Sequence, residues 1–186
     1  LFLFLFLFRW LYCFYKFMTF VTSKGNYEGV WNDVWFSLTI FQTLQMIEVL
    51  HCLVGLVPSS AFQTFIQIIS RLIVVWGILH PVPETRISYG VPLILLAWPL
   101  AETTRYLYYA LNIYNVVPYL LTWARYSLFI ILYPTGVLGE LLIMGKSFNY
   151  IKERLLWSIT LPNFANVSFY YHIALILVML SYIPCK

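Results

Sequence analysis

Charged residues are scarce in this chain, and their scarcity excludes several classes of protein. They make up 10% of the 186 residues, against about 25% in an average soluble domain. The Lys, Arg, Asp and Glu residues are scattered without a basic cluster or charge run, so we do not expect nucleic acid as a partner. Hydrophobic residues make up 62%. A soluble globule of this size cannot bury so much apolar surface, so we expect lipid to be the surrounding solvent.

Cysteine is also rare, and no internal repeat is visible. Cys13, Cys52 and Cys185 are too few and too scattered for a disulfide framework or a zinc site, and we expect neither a metal nor a cofactor. Transporters usually have repeated halves, so the lack of a repeat weighs against that class. The chain starts at Leu1 rather than Met, and Lys186 directly follows an apolar run. We therefore expect that both ends are truncated.

Six apolar segments are candidates to cross a bilayer, which requires about 20 mostly apolar residues. They cover about residues 1–21, 34–57, 61–79, 91–114, 119–144 and 167–183. The longest polar segment, 145–166, separates the last two. A membrane barrel would instead alternate apolar and polar residues over strands of about ten positions. The sequence therefore predicts a single all-α membrane domain, a bundle of about six transmembrane helices.

Four of these segments carry polar side chains at helical spacing. An ionisable group at the centre of a span costs about 2.5–3.5 kcal/mol on insertion scales, so we expect each such group to have a structural or functional role. Such stripes are typical either of polar contacts between helices, worth about 0.6 kcal/mol each, or of a polar cavity inside the membrane. We expect a cavity onto which all four stripes converge. Their members are Gln42, Gln45, Glu48 and His51; Gln63, Gln67 and Arg71; Glu102, Arg105 and Tyr106; and Arg125, Tyr126, Tyr133 and Glu140.

Tyr133 and Glu140 in the fifth segment are a candidate acid–base pair. Seven residues make nearly two helical turns, which places both side chains close to one face and about 10 Å apart along the axis. Pro134 predicts a kink between them, and Gly136 and Gly139 would let a helix or an acyl chain approach closely. A Tyr and a Glu can exchange protons with a substrate without a metal. The spacing also fits an interfacial Tyr and a Glu that ends the span near water.

A second motif points to a chemistry that we reject. His51 and Cys52, followed by Gly55, resemble the H-C-x-x-G-x-x-R loop of cysteine phosphatases. That reaction requires an Arg that holds phosphate with two parallel hydrogen bonds. Pro58 occupies the position of this Arg, so we do not expect phosphatase activity.

The altered loop and several other stretches resemble the very-long-chain 3-hydroxyacyl-CoA dehydratases, also called protein-tyrosine-phosphatase-like proteins. The resemblance covers about residues 42–186, and its most specific motif is Leu-Tyr-Pro-x-Gly-Val-x-Gly-Glu-Leu-Leu at 132–142. The other matching stretches are 48–60, Ser70-Arg71, Ala97-Trp98, Glu102, Arg105-Tyr106, 123–126 and 161–163.

The resemblance implies a six-span protein of the endoplasmic reticulum membrane. The family removes water from 3-hydroxyacyl-CoA to form trans-2-enoyl-CoA, the third step of fatty-acid elongation, so the expected enzyme is a lyase. Its catalytic residues fall on Tyr133 and Glu140, and its partners are the condensing elongases and the two reductases of the cycle. The expected supporting residues of the cavity are Glu48, Gln67, Arg71, Glu102, Arg105, Arg125 and Gly136.

Some alternatives remain open on the sequence. We take Glu140 as the base and Tyr133 as the acid, but the reverse assignment fits the same residues. A catalytically silent interaction protein would keep the fold and tolerate loss of either side chain. A small transporter would also use a polar cavity, and would show flux without chemical turnover.

Overall fold

A computed structural model describes residues 2–55, 60–164 and 166–182, and the long elements of this part are helices. The helices are α1 (Phe2–Lys24), α2 (Val30–Leu44), α3 (Met46–Leu53), α4 (Ala61–Leu72), α5 (Gly90–Ile113), α6 (Tyr119–Arg154) and α7 (Tyr171–Ser181). A π-helix, Ile73–Leu79, continues α4, and a 3-10 helix, Pro83–Ile87, leads into α5. The prediction of an all-α membrane protein is confirmed.

Four helical segments of the described chain are long and apolar enough to cross a membrane. They are Phe4–Lys24, Val30–Leu53, Ala61–Leu79 and Tyr119–Arg154. Helix α5 has 24 residues and is not one of these four, and the apolar stretch Tyr171–Leu180 is shorter, so the expectation of six spans stays a prediction. Many large apolar side chains are more than half exposed, as expected of helix faces that contact lipid.

Helix α5 is central to the bundle, since it packs against both α1 and α6. Trp10 of α1 and Ile94 and Trp98 of α5 belong to the buried core, and so does Ile143 of α6. Large side chains from three helices therefore meet around α5, which keeps its polar positions at a defined depth and rotation.

The closest approach of α5 and α6 is at two glycines, Gly90 and Gly139. A Cβ atom at Gly139 would lie 2.8 Å from Ile94 Cγ2, closer than real Cβ contacts, and 3.0 Å from the Gly90 carbonyl oxygen, which is unusually tight. A Cβ atom at Gly136 would meet Ala97 Cβ and Trp98 Cδ1 at 3.7 Å, which is ordinary van der Waals distance. Of Gly136 and Gly139, only Gly139 is therefore required by the contact between the two helices.

The helix limits differ from the predicted span limits at the end of the chain. Helix α6 does not stop near residue 144 but continues to Arg154, because Ser147 and Ile151 are buried and extend its packed face. The residue after it, Leu155, has a φ of 49°, a left-handed conformation that ends the helix. Helix α7 has 11 residues, or about 16 Å. It is shorter than the predicted span 167–183, since Phe169 instead forms an antiparallel bridge with Ile159.

Smaller differences occur near the other predicted breaks. The second predicted span is divided at Gln45, where the Glu48 N–H donates to the Gln45 carbonyl only three residues back, at 2.9 Å. Helix α6 continues through Pro134, and α5 continues through Pro99. Leu1, the end of the second predicted span at 56–57, Pro58, and the end of the last span at 183 lie outside the described residues.

Candidate functional site

A cavity of about 760 Å³ opens between α4, α5 and α6. It contains Tyr133 and Glu140 together with six of the seven expected supporting residues. These six are Gln67, Arg71, Glu102, Arg105, Arg125 and Gly136. Apolar side chains complete the lining, among them Phe62, Ile66, Leu128, Phe129 and Leu132. The structure therefore brings the candidate pair and the polar stripes of three helices into one space.

Glu140 is buried at one end of this cavity, with 4% of its surface exposed. One carboxylate oxygen accepts a hydrogen bond from the Trp98 indole N–H at 3.2 Å. The other accepts one from the hydroxyl of Tyr182, which follows α7 directly. Three helices thus position this carboxylate through donors that carry no charge.

Tyr133 lines the same cavity on the same helix. Its ring stacks on Phe129 with the ring centroids 5.0 Å apart. Glu140 follows seven residues later on the same helix, about 10 Å further along the axis.

A network of four charged side chains lies beside the pair. Arg71 Nη1 is 2.5 Å from Glu102 Oε1. Arg105 Nη2 is 2.7 Å from both Glu102 Oε2 and Glu48 Oε2. Tyr106 adds a neutral donor, since its hydroxyl donates to Glu48 at 2.7 Å. Two cations balance two anions, so the network carries no net charge into the membrane.

This network reaches Glu140 through an aromatic ring. The Arg71 guanidinium lies 5.2 Å from the centroid of the Trp98 ring, within the range of a cation–π contact. The N–H of the same ring donates to Glu140. Trp98 therefore connects the charged network to the candidate catalytic carboxylate.

The expectation that all four polar stripes line the cavity is wrong for the second predicted span. Glu48 is buried behind Arg105 and is not among the lining residues. Gln45 donates to the Tyr106 hydroxyl at 3.4 Å, and Gln42 donates to Gln45 at 3.1 Å. Glu48 and Gln45 contact α5 from its other side, with Gln42 behind Gln45, and support Arg105 and Tyr106 rather than a ligand.

Other residues also differ from their expected positions. Tyr126 of the fifth-span stripe is 62% exposed and is not among the lining residues. Arg125 lines the cavity far from Glu140, against the ring of Tyr108. Nothing in the sequence marks Tyr182 as a partner of Glu140, because a tyrosine at the end of an apolar run is also typical of a membrane interface. Trp98 was noticed only within the family resemblance.

Known proteins are similar to this chain over most of its length. The family model described as "Protein tyrosine phosphatase-like protein, PTPLA" matches residues 42–186. The chain is 43% identical over 162 residues to very-long-chain (3R)-3-hydroxyacyl-CoA dehydratase 2 of Mus musculus, covering 87% of this chain and 64% of the relative. It is 41% identical over 175 residues to dehydratase 1 of Canis lupus familiaris, covering 94% and 70%.

A relative from a third animal has a similar sequence identity to this chain. The chain is 42% identical over 160 residues to very-long-chain (3R)-3-hydroxyacyl-CoA dehydratase hpo-8 of Caenorhabditis elegans, covering 86% of this chain and 73% of the relative. The chain spans less than two thirds of the length of the mouse relative. No solved structure gives a significant match.

Proposed function

Because the chain belongs to the protein tyrosine phosphatase-like family, we propose that it is a membrane-embedded dehydratase, a lyase that converts a long-chain 3-hydroxyacyl-CoA to trans-2-enoyl-CoA. The names of its relatives support this reaction. The observation that carries the proposal is one cavity lined by both Tyr133 and Glu140, with Glu140 held by two neutral donors.

The chemistry requires one group that takes a proton and one that gives a proton. Water leaves when the C2–H bond and the C3–O bond break and a double bond forms between C2 and C3. We assign Glu140 as the base that takes the C2 proton, because both of its oxygens accept hydrogen bonds and keep lone pairs for a proton. Tyr133 then donates a proton to the departing C3 hydroxyl, which leaves as water. Since the two residues are about 10 Å apart along the axis, the substrate or one water molecule joins them.

The acyl chain fits the apolar side of the cavity. Phe62 of α4 and Phe129 of α6 line the cavity and are 71% and 59% exposed, so the space between these helices opens sideways towards lipid. A long acyl chain can remain among apolar side chains and lipid while only its reacting end meets the polar groups. We further propose an endoplasmic reticulum location and association with the condensing elongases and reductases, which rest on the family resemblance.

The test is turnover by the chain in membranes that lack their own dehydratase. A long-chain 3-hydroxyacyl-CoA is supplied, and the enoyl-CoA product is measured by mass spectrometry. We expect Tyr133→Phe and Glu140→Gln each to lower turnover by about 10²- to 10⁴-fold, the usual contribution of a general acid or base. Tyr126→Phe and Glu153→Gln remove the same groups from exposed positions of the same helix, and should leave turnover unchanged.

Each other outcome has a defined meaning. Full turnover in Tyr133→Phe and Glu140→Gln would contradict the site assignment. No turnover by the folded, unmodified chain would favour a catalytically silent interaction protein. Passage of acyl-CoA or fatty acid across the membrane without a chemical product would favour a transporter.

A further inference from the structure

The end of the cavity that lies far from Glu140 contains a cation that the acid–base chemistry does not use. Arg125 lines the cavity and precedes Glu140 by about 22 Å along α6, at 1.5 Å per residue. Two other arginines line the cavity, Arg71 and Arg105, and each is paired with Glu102, at 2.5 and 2.7 Å. Within the described ranges, no carboxylate lies within ion-pair distance of Arg125.

Aromatic rings hold Arg125 but do not neutralise it. Its guanidinium carbon lies 4.1 Å from the ring centroid of Tyr108 and 4.9 Å from that of Tyr109. Its Nη2 atom donates to the Tyr109 hydroxyl at 3.5 Å. Cation–π contacts orient a guanidinium, but the rings supply no full negative charge to balance it. The position is therefore suited to an anionic group that a ligand brings.

This end of the cavity lies where α5 ends and α6 begins. Arg125 follows Tyr119, the first residue of α6, by about 9 Å. Tyrosine and tryptophan are frequent here, as is typical of the boundary between lipid and water; they are Tyr108, Tyr109, Tyr114, Tyr119, Trp123 and Tyr126. A polyanion can stay hydrated at this level and still contact Arg125, whereas it cannot enter the hydrocarbon.

We propose that Arg125 binds a phosphate group of the coenzyme A part of the substrate. This inference rests on the proposed dehydratase function. The planar fork of the guanidinium matches phosphate oxygens. The flexible pantetheine arm would then carry the thioester along the cavity to Tyr133 and Glu140. A phospholipid phosphate offers the same chemistry, but Arg125 lines the cavity of the candidate catalytic pair, which favours the substrate.

The test compares two substrates with the same acyl group. One is the 3-hydroxyacyl-CoA, and the other is the corresponding pantetheine thioester, which has no phosphate. We expect Arg125→Gln to raise KM for the CoA ester about 10- to 100-fold, the effect of losing one hydrogen bond between charged groups. Its kcat with this ester and both constants for the pantetheine ester should stay close to those of the unmodified chain.

Two further variants sharpen the comparison. Arg125→Lys keeps the charge and should restore part of the lost affinity for the CoA ester. Arg154→Gln is the matched control, because Arg154 also lies on α6 over a tyrosine ring, 4.4 Å from the centroid of Tyr150, but does not line the cavity. It should change neither substrate's kinetics. An equal loss with both esters in Arg125→Gln would show a role in folding, lipid contact or thioester binding, and would overturn the phosphate site.

A binding measurement separates this inference from the dehydratase proposal. Radiolabelled coenzyme A, without an acyl group, is titrated against the full chain in phosphatidylcholine nanodiscs. We expect about 10- to 100-fold weaker binding to Arg125→Gln, and weaker binding to the unmodified chain at high salt. If the chain has no turnover but shows this difference, the phosphate site stands and the dehydratase proposal fails. Equal coenzyme A binding by both chains would overturn the site.

Discussion

Two buried carboxylates on neighbouring helices have opposite surroundings. Glu102 of α5 is 1% exposed and Glu140 of α6 is 4% exposed. Glu102 lies between the guanidinium groups of Arg71 and Arg105, whereas the direct hydrogen-bond donors to Glu140 are an indole N–H and a tyrosine hydroxyl. The first carboxylate is committed to ion pairs with Arg71 of α4 and Arg105 of α5, which join these two helices. The second is oriented by uncharged donors and forms no ion pair with the described residues, so its oxygens remain available for chemistry.

The largest expected effect is on the free energy of unfolding, when Gln replaces each of the two carboxylates in a separate variant. Glu102→Gln leaves Arg71 without its anion in a buried site, and we expect a loss of about 3–5 kcal/mol in the free energy of unfolding. Glu140→Gln leaves no cation unpaired, and the amide can still contact the Trp98 N–H and the Tyr182 hydroxyl. It should therefore lower the free energy of unfolding by only about 1 kcal/mol. Chemical unfolding in detergent, followed by tryptophan fluorescence, measures both.

A double variant checks the physical reason for this difference. Replacing Arg71 and Glu102 together by Gln removes both charges of the pair, so we expect it to recover part of the stability that Glu102→Gln alone loses. Equal costs at Glu102 and Glu140 would show that the two carboxylates have the same structural role, and the contrast between them would fail.

A smaller effect is expected from replacing the glycines of α6, which packs closely against α5. These two helices carry Glu140 and Glu102. In Gly139→Ala the new Cβ atom would lie 2.8 Å from Ile94 Cγ2 and 3.0 Å from the Gly90 carbonyl oxygen. The helices must separate, at a cost of about 1–3 kcal/mol, and Glu140 then moves away from Trp98. Turnover should fall together with the unfolding free energy.

The matched variant for this experiment is Gly136→Ala, three positions before the close contact at Gly139. Its new Cβ atom meets its neighbours at 3.7 Å. We expect the free energy of unfolding to stay the same or rise by up to about 1 kcal/mol, because Ala favours a helix more than Gly. The same destabilisation in both variants would contradict the assignment of Gly139 as the packing glycine.

The smallest expected effect concerns the positioning of Glu140. Tyr182→Phe removes one donor to the carboxylate and keeps the ring, so we expect kcat to fall about tenfold, with KM and the melting temperature nearly unchanged. Tyr170→Phe is the control, since Tyr170 precedes α7 and contacts His172 rather than Glu140. A lower melting temperature with an unchanged kcat would show that Tyr182 is only structural.

Much of the fold follows from local patterns in the sequence. Long apolar runs with few charges predict helices in lipid, and α1, α4 with its π-helical continuation, and α5 begin and end close to the predicted limits. The continuation of α6 to Arg154 was missed because residues after Gly145 are polar on average. The buried face that includes Ser147 and Ile151 is recognised only when the packing partner is known.

The sequence predicts one part of the candidate site, the side chains that share a face of each helix. Spacing along one helix places Arg71 and Gln67 on one face, and likewise Tyr133 and Glu140, so the sequence predicts which side chains share a stripe. It does not predict which stripes meet. Glu48 has the same spacing pattern as the lining residues, yet it supports Arg105 from behind.

The amino-acid sequence by itself determined that lipid is the solvent, that helices carry the fold, and which polar positions lie along each helix, because composition and periodicity are local properties. Only the tertiary structure decided which carboxylate is neutralised. That choice depends on the depth and rotation of one helix relative to its neighbours, which packing at Gly90 and Gly139 sets. The contact of α4 with α5 places Arg71 on Glu102, and the contacts of α5 and the end of α7 with α6 place Trp98 and Tyr182 on Glu140.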